Sequence, residues 1–170
     1  GFVGYESGQA AVGDSFQWLA RTILNQSFED LSLKAAKVPA GSNGMMWLEW
    51  LNGSRSPYMN AQTNGLMIGA NLATTPEQIY RSLIESTAYG TRNILDSHRD
   101  GGVQVDELVV CGGLTKDPLI LQIYSDVTGL PITVSPSNQT VALGAAIFAS
   151  MVVSKQDSET VICRMTKKSK

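Results

Sequence analysis

A pair of glycines, Gly112 and Gly113, is the pattern in this sequence with the clearest chemical meaning. The pair follows the segment ELVVC at residues 107–111, which is apolar after its first residue and predicts a buried strand, and a helix is predicted to begin near Asp117. In open α/β sheets, ligands bind in the crevice outside the carboxyl ends of the strands. Because glycines leave the backbone bare, a flat base or a ribose could lie directly against it. The alternative interpretation is a plain tight turn between a strand and a helix.

Outside this pair, the sequence offers few residues for catalysis. Gly13, just before a predicted helix, leaves the backbone free to approach a ligand. The single histidine, His98, lies at a polar helix end, and no Ser/His/Asp triad or metal site can be built around it. The two cysteines, Cys111 and Cys163, form no CxxC motif, which favours a reduced, cytoplasmic protein without structural zinc.

Helices and strands are predicted to alternate along the chain. The strongest signal is the segment TPEQ at residues 75–78, where a threonine cap, a proline in the first turn and a glutamine three residues on predict a capping box. Helices are predicted at residues 14–24, 28–37, 75–98, 117–128 and 141–153, and strands at residues 45–51 (with a helix as the alternative), 66–68, 107–111 and 131–134. This order predicts an α/β layer architecture.

The composition is that of one globular domain. The chain has 170 residues, of which 43% are hydrophobic and 16% charged, with no repeat and no obvious linker. A net charge of −2 gives no basic surface, so neither nucleic acid nor a membrane is expected as a partner. The apolar run at residues 141–153 is shorter than the ~20 residues that span a bilayer, and the N-terminal segment has no signal-peptide pattern.

Several ordered motifs resemble those of the FGGY family of carbohydrate kinases, a branch of the actin/Hsp70/sugar-kinase superfamily. Residues 65–85 (GLMIGANLATTPEQIYRSLIE) resemble the second signature of the family. Gly112 and Gly113, followed by a helix and then by residues 140–146 (TVALGAA), look like the adenosine-side signature of the superfamily.

Two further motifs narrow the resemblance to ribulokinase-like members of the family. Residues 52–57 (NGSRSP) are similar to their NGxRxP segment, and residues 4–9 (GYESGQ) are similar to their GxEAGQ segment. The resemblance covers roughly residues 3–153. It implies an α/β, ribonuclease H-like (actin-like ATPase) fold, in which a layered sheet carries helices on both faces and forms one lobe of a two-lobed kinase. It also implies transfer of the γ-phosphate of ATP to a hydroxyl of a ketopentose such as ribulose, with Mg²⁺ on the phosphates.

The resemblance also assigns nucleotide-binding residues. Gly112 and Gly113 would line the adenosine pocket, and Asp117 falls near a position where relatives touch the nucleotide. Residues 13–18 (GDSFQW) resemble a GxSxQW segment. Its glycine and glutamine, here Gly13 and Gln17, contact the nucleotide near its phosphates and ribose. Gln17 could equally be a solvent-facing residue of an amphipathic helix.

Glu6 resembles the carboxylate that ribulokinase-like members direct at a sugar hydroxyl. A carboxylate suits this position because it accepts charge-assisted hydrogen bonds from vicinal hydroxyls. The alternative is an ordinary exposed acid near a chain end. Arg55 in the NGSRSP segment is predicted to tie down its loop rather than to bind phosphate.

No catalytic residue is assigned in this chain. Phosphoryl transfer needs a carboxylate that orients the attacking hydroxyl. In the family that Asp, together with the loop that grips the phosphates, lies upstream of the GxEAGQ segment, which begins only three residues into this chain. The Asp is therefore expected in an N-terminal lobe, and the isolated chain is expected to be inactive.

The expected division of the chain is a nucleotide-binding domain at residues 1–153 and a polar, disordered tail at residues 154–170. The expected partners are a sugar, the N-terminal lobe and a second copy of the chain. Self-association is expected because the face that normally meets the other lobe would be left as an exposed apolar patch.

Three alternatives stay open at this point. One is another FGGY kinase, of the D-ribulose, xylulose or glycerol type. A second is a stand-alone nucleotide-binding or interaction domain related to actin and Hsp70, which should not carry the GxEAGQ-like and NGxRxP-like segments together. A third is a non-catalytic remnant.

Overall fold

The structure, a computed structural model, describes residues 3–137 and 139–166. Contacts divide the chain into two compact units. Unit 1 comprises Gly1–Val105 and Asp117–Gly129, and unit 2 comprises Asp106–Lys116 and Leu130–Lys170. The chain leaves unit 1, returns to it and leaves it again, so no single linker in the sequence marks the division.

Unit 1 is mainly helical. Its helical segments are α1 (Gly13–Gln17), a π-helical segment (Trp18–Ile23), α2 (Phe28–Ala35), a 3-10 turn (Ser42–Gly44), α3 (Pro76–Asp100) and α4 (Pro118–Thr128). Its strands, β1 (Met46–Leu48) and β2 (Leu66–Ile68), pair antiparallel with Trp47 opposite Met67. The strand predicted at residues 45–51 is thus shorter than expected, and the strand at residues 66–68 is confirmed.

Helix α3 is the central element of unit 1 and packs against α1, α2, α4 and β1. Its start follows from the sequence, since the Gln78 side chain accepts a hydrogen bond of 3.0 Å from the Thr75 N–H. Residues 82–88 are all buried, polar ones included. The largest side chains in the core around the helix are at most 1% exposed: Phe16, Leu19, Leu31, Tyr80, Leu83 and Ile84.

The first predicted helix differs from a regular α-helix. The N–H of Leu24 donates to the carbonyl oxygen of Leu19, five residues back, at 2.9 Å. This wider turn rotates the residues that follow. In a regular α-helix Ile23 would lie on the same apolar face as Leu19, four residues before it, but Ile23 is 55% exposed.

Unit 2 contains a short parallel sheet and two helices. Its elements are β3 (Leu108–Val110), a 3-10 turn (Gly113–Lys116), β4 (Ile132–Val134), α5 (Thr140–Ser154) and α6 (Ser158–Met165). Strands β3 and β4 are parallel, with Val109 opposite Thr133. Among the described residues, no helix is both long and apolar enough to cross a bilayer.

Helix α6 corrects the prediction of a disordered tail. Asp157 caps the helix by accepting a hydrogen bond of 2.9 Å from the Thr160 N–H, and Val161 is fully buried. Arg164 ties the helix to α5 through a hydrogen bond of 3.0 Å to the Ser150 hydroxyl. The prediction is therefore wrong for Ser158–Met165, and residues 167–170 lie outside the described part of the chain.

Candidate functional site

Gly112 and Gly113 follow β3 in unit 2 after one intervening residue, Cys111, and both are exposed. Gly112 has a φ of +98°, a left-handed conformation that side chains rarely adopt. A Cβ atom at either position would meet no other atom within 4 Å. The Thr115 hydroxyl donates to the Gly112 carbonyl oxygen at 2.7 Å and so fixes the turn. The result is bare, open backbone at the carboxyl end of a parallel strand.

Gly13 and Gln17 belong to unit 1, at the first and last positions of α1. Both are exposed, and they are four residues apart, so they lie on the same side of the helix. A Cβ atom on Gly13 would meet nothing within 4 Å. The exposure of Gln17 fits a ligand contact and an ordinary solvent-facing residue equally well.

Asp117, also in unit 1, has two structural partners. Its Oδ1 atom accepts a hydrogen bond of 3.0 Å from the Leu119 N–H, which caps α4, and one of 2.9 Å from the Ser32 hydroxyl on α2. Burial, with a smaller contribution from Asp117, raises the pKa of the Tyr80 hydroxyl to about 12. The predicted cap is therefore present, and it already accounts for one oxygen of the carboxylate.

Glu6 lies in an extended segment without regular secondary structure, and its side chain is 84% exposed. The carboxylate forms an ion pair with Arg55, with 2.5 Å between Oε1 and Nη2. The prediction that Arg55 ties down its own loop missed this contact. The two segments that resemble ribulokinase-like motifs, residues 4–9 and 52–57, are thus in direct contact.

The side chain of Gln9 forms a polar cluster that sequence reasoning missed. Its amide nitrogen donates to the Thr87 carbonyl oxygen at 3.0 Å and to the Glu49 carboxylate at 3.4 Å, and its amide oxygen accepts from the Thr91 hydroxyl at 3.0 Å. A Cβ atom on Gly90 would collide with both Gln9 and Glu49. Glycine inside α3 was the available signal, because an interior helical glycine usually marks a close approach. The cluster anchors the Glu6 segment on α3.

Glu85 is the last residue of the motif at residues 65–85, and its side chain is buried in unit 1. It accepts hydrogen bonds from the Arg81 guanidinium at 2.7 Å, the Ser42 hydroxyl at 2.8 Å and the Gly41 N–H at 3.1 Å. Buried charges in proteins are paired and hydrogen-bonded in this way. This acid therefore has a structural role, which is to fix the turn that precedes β1.

Within residues 3–137 and 139–166, no group of three or more His, Cys, Asp or Glu side chains could hold a metal ion. Mg²⁺ in phosphate-transferring enzymes is usually held by one or two carboxylates together with phosphate oxygens and waters. The described side chains therefore form no cage for Mg²⁺.

Comparison with known proteins identifies the family. The model for the FGGY family of carbohydrate kinases, C-terminal domain, matches residues 1–153. The chain is 43% identical over 164 residues to a ribulokinase of Bacillus licheniformis, an alignment that covers 89% of this chain and 30% of the relative. It is 46% identical to a ribulokinase of Shouchella clausii, with 89% of this chain and 29% of the relative covered.

A solved structure supports the same conclusion. The crystal structure of Plasmodium falciparum glycerol kinase with ADP matches with a TM-score of 0.75 and 25% identity, over 92% of this chain and 32% of that chain. The chain therefore belongs to the FGGY family of carbohydrate kinases and has the fold of its C-terminal domain. It spans about 30% of the length of the curated relatives that it matches. The predicted family and fold are confirmed, while the roles of the individual site residues stay predictions.

Proposed function

We propose that this chain is the ATP-binding part of a carbohydrate kinase that transfers the γ-phosphate of ATP to a hydroxyl of a ketopentose such as ribulose. The observation that carries the proposal is its 43% and 46% identity to two proteins named ribulokinase. The GYESGQ and NGSRSP segments, which Glu6 and Arg55 bring into contact, resemble ribulokinase-like motifs and favour that branch over other members of the family.

In this proposal, Gly112 and Gly113 line the adenosine pocket. Their backbone is bare and exposed, which suits contact with a flat ring. Gly13, Gln17 and Asp117 contact the nucleotide. Asp117 does so with Oδ2, because Oδ1 accepts the two hydrogen bonds described above. Mg²⁺, when bound, neutralises charge on the transferred phosphate, and the phosphates supply most of its ligands.

Glu6 binds the sugar in this proposal. Its carboxylate is exposed, and the lone pairs that the ion pair with Arg55 leaves unused can accept hydrogen bonds from hydroxyl donors. The carboxylate that orients the attacking hydroxyl belongs to an N-terminal lobe, which is the expected partner of this chain. We therefore expect the 170-residue chain to bind an adenine nucleotide weakly and to transfer no phosphate by itself. A cytoplasmic location also stays a prediction.

The proposal is tested by assembling the kinase. The chain is mixed or co-expressed with the N-terminal lobe of the Bacillus licheniformis ribulokinase, and ADP release is measured with and without ribulose. We expect ribulose-dependent ADP release from the assembled kinase and none from either part alone. Turnover by the pure chain would contradict the missing-carboxylate assignment, and a folded assembly without ribulose-dependent turnover would favour the non-catalytic alternative.

The adenosine pocket is tested with Gly113→Leu. Gly113 does not have a positive φ, so a side chain there causes no backbone strain, and it would meet no protein atom within 4 Å. We expect loss of ATP affinity with unchanged folding stability. Gly4→Leu, at another open glycine, is the matched control and should leave ATP affinity unchanged. Retained ATP affinity in Gly113→Leu would refute the pocket.

A further inference from the structure

The ion pair between Arg55 and Glu6 has no explanation in folding stability. The side chains are 52% and 84% exposed. Exposed pairs contribute little to stability, because water screens the charges and two long side chains lose freedom. The pair nevertheless joins segments 49 residues apart in the chain and gives one oxygen of this carboxylate a fixed-charge partner.

The loop that carries Arg55 is braced on both sides. Ser54 and Asn60 exchange two backbone hydrogen bonds, of 2.9 and 2.8 Å. The Arg55 carbonyl oxygen accepts a third, of 2.7 Å, from the Met59 N–H. Gly53 packs so closely on the backbone of Ala61 that a Cβ atom there would be 2.8 Å from the Ala61 Cα. The guanidinium therefore extends from a backbone that has little freedom to move.

The same loop is aligned with the segment that carries Glu6. Ser56 donates its N–H to the Gly8 carbonyl oxygen at 3.1 Å, and the Gly8 N–H donates to the Ser56 hydroxyl at 3.2 Å. The guanidinium lies over Gly8, where a Cβ atom would be 3.2 Å from Nη1 of Arg55. A glycine at this position therefore gives Arg55 room to reach Glu6.

We propose that Arg55 is a positioning residue for sugar binding, which holds the Glu6 carboxylate in the orientation that accepts the sugar hydroxyls. The guanidinium donates to Oε1, and within residues 3–137 and 139–166 Oε2 has no hydrogen-bond partner. Arginine suits this role because its planar, permanently charged group presents its donors in a fixed geometry. The inference rests on the proposed function, in which Glu6 binds the sugar. It replaces the sequence-based prediction that Arg55 only ties down its own loop.

The first test uses the assembled kinase. Arg55→Ala should raise KM for ribulose about 10- to 100-fold, because a small misplacement of a binding group weakens binding strongly, and should leave KM for ATP unchanged. In a Glu6→Ala background, Arg55→Ala should have no further effect, since the two residues act as one unit. Arg55→Lys, which keeps the charge, should restore part of the affinity. Arg99→Ala, at an exposed ion pair with Asp96, is the matched control and should behave like wild type.

A second variant and a second measurement make the test independent of turnover. Gly8→Ala should shift the guanidinium by a few tenths of an ångström and raise KM for ribulose by less than Arg55→Ala does. In the 170-residue chain, hydrogen exchange of residues 4–9 should become faster in Arg55→Ala than in wild type. Unchanged exchange would overturn the inference, and so would faster exchange with an unchanged KM for ribulose, which is the result of a purely structural role. An assembled kinase without ribulose-dependent ADP release would instead contradict the proposed function, while exchange still reports whether Arg55 holds the Glu6 segment.

Discussion

The hydroxyl of Ser32 on α2 donates a hydrogen bond of 2.9 Å to the Oδ1 atom of Asp117, the residue that caps α4. The same oxygen accepts the Leu119 N–H at 3.0 Å. One carboxylate oxygen therefore both starts a helix and connects it to another. This geometry gives Asp117 a structural role that must be separated from its proposed contact with the nucleotide.

We predict that Asp117→Ala lowers the free energy of unfolding by about 1 kcal/mol, the usual cost of losing an N-cap. Asp117→Asn should keep most of this stability, because an amide oxygen can still accept the Leu119 N–H. Urea unfolding of the three chains measures the difference. Ser32→Ala removes only the link between the helices and is the control. If Asp117→Ala is as stable as wild type, the cap contributes nothing.

A second prediction concerns the buried ion pair of Arg81 and Glu85, whose side chains are 12% and 7% exposed. Arg81→Ala should lower the free energy of unfolding by about 3–5 kcal/mol, because it leaves a buried carboxylate without its counter-charge. Arg99→Ala removes an exposed pair and should cost at most about 1 kcal/mol. Urea unfolding of both variants gives the comparison. Equal losses would show that burial does not matter at this pair.

A third prediction separates backbone strain from steric overlap at two glycines with similar conformations. Gly69 and Gly102 have φ angles of +85° and +82°. Gly102→Ala should cost about 1–2 kcal/mol from the left-handed backbone alone, since its Cβ would meet nothing within 4 Å. Gly69→Ala should cost clearly more, because its Cβ would overlap the Gly44 carbonyl oxygen. Thermal unfolding of both variants checks the order, and a smaller loss at Gly69 would contradict it.

Local signals in the sequence predicted the elements whose ends are determined by capping residues. The start of α3 follows from Thr75 and Gln78, and the start of α4 follows from Asp117. Each of these capping signals involves residues that are close together in the sequence. The start of α6 has a comparable local signal, because Asp157 accepts the Thr160 N–H, whereas the polar composition of residues 154–170 predicts disorder.

Contacts between distant segments could not be predicted from sequence. The pair Glu6–Arg55 and the cluster of Gln9, Glu49 and Thr91 join residues that are at least 40 positions apart. No local pattern specifies such pairs, because they depend on how α3 and β1 pack. The motifs at residues 4–9 and 52–57 can be found in the sequence, but their contact through Glu6 and Arg55 cannot.

The fourth prediction is a loss of stability in alkaline solution. Burial raises the pKa values of Tyr80 and Tyr124 from 10.0 to about 12 in the folded chain. Between pH 10 and about pH 12 the two tyrosines lose their phenolic protons in the unfolded chain but keep them in the folded chain, so a rise in pH favours unfolding. The contribution of these two protonated tyrosines to the free energy of unfolding is therefore fully present below pH 10 and is lost as the pH rises to about 12.

Urea unfolding at a series of pH values measures this loss. Tyr124→Phe and Tyr80→Phe should each reduce the slope between pH 10 and pH 12, because phenylalanine has no proton to lose. Tyr5→Phe, at a residue that is 66% exposed, is the control and should leave the slope unchanged. If the slope persists in both buried variants, the two tyrosines do not cause the alkaline loss.

The last prediction is that the isolated chain associates with itself through α5. This helix is strongly apolar, and none of its residues, all of which the structure describes, is buried. Val141, Phe148 and Val152 are spaced to lie on one side of the helix and are 86%, 71% and 79% exposed. Exposed apolar patches of this kind promote association, because burying them removes apolar surface from water.

Replacing Phe148 and Val152 together by glutamine should shift the chain towards monomer in sedimentation experiments. Folding stability should change little, because neither side chain is buried and glutamine favours helix. Leu33→Gln, at a leucine on α2 that is 69% exposed, is the matched control and should not alter the association. A wild-type chain that stays monomeric at high concentration would refute the prediction. Association that persists in the double variant would place the contact elsewhere than on α5.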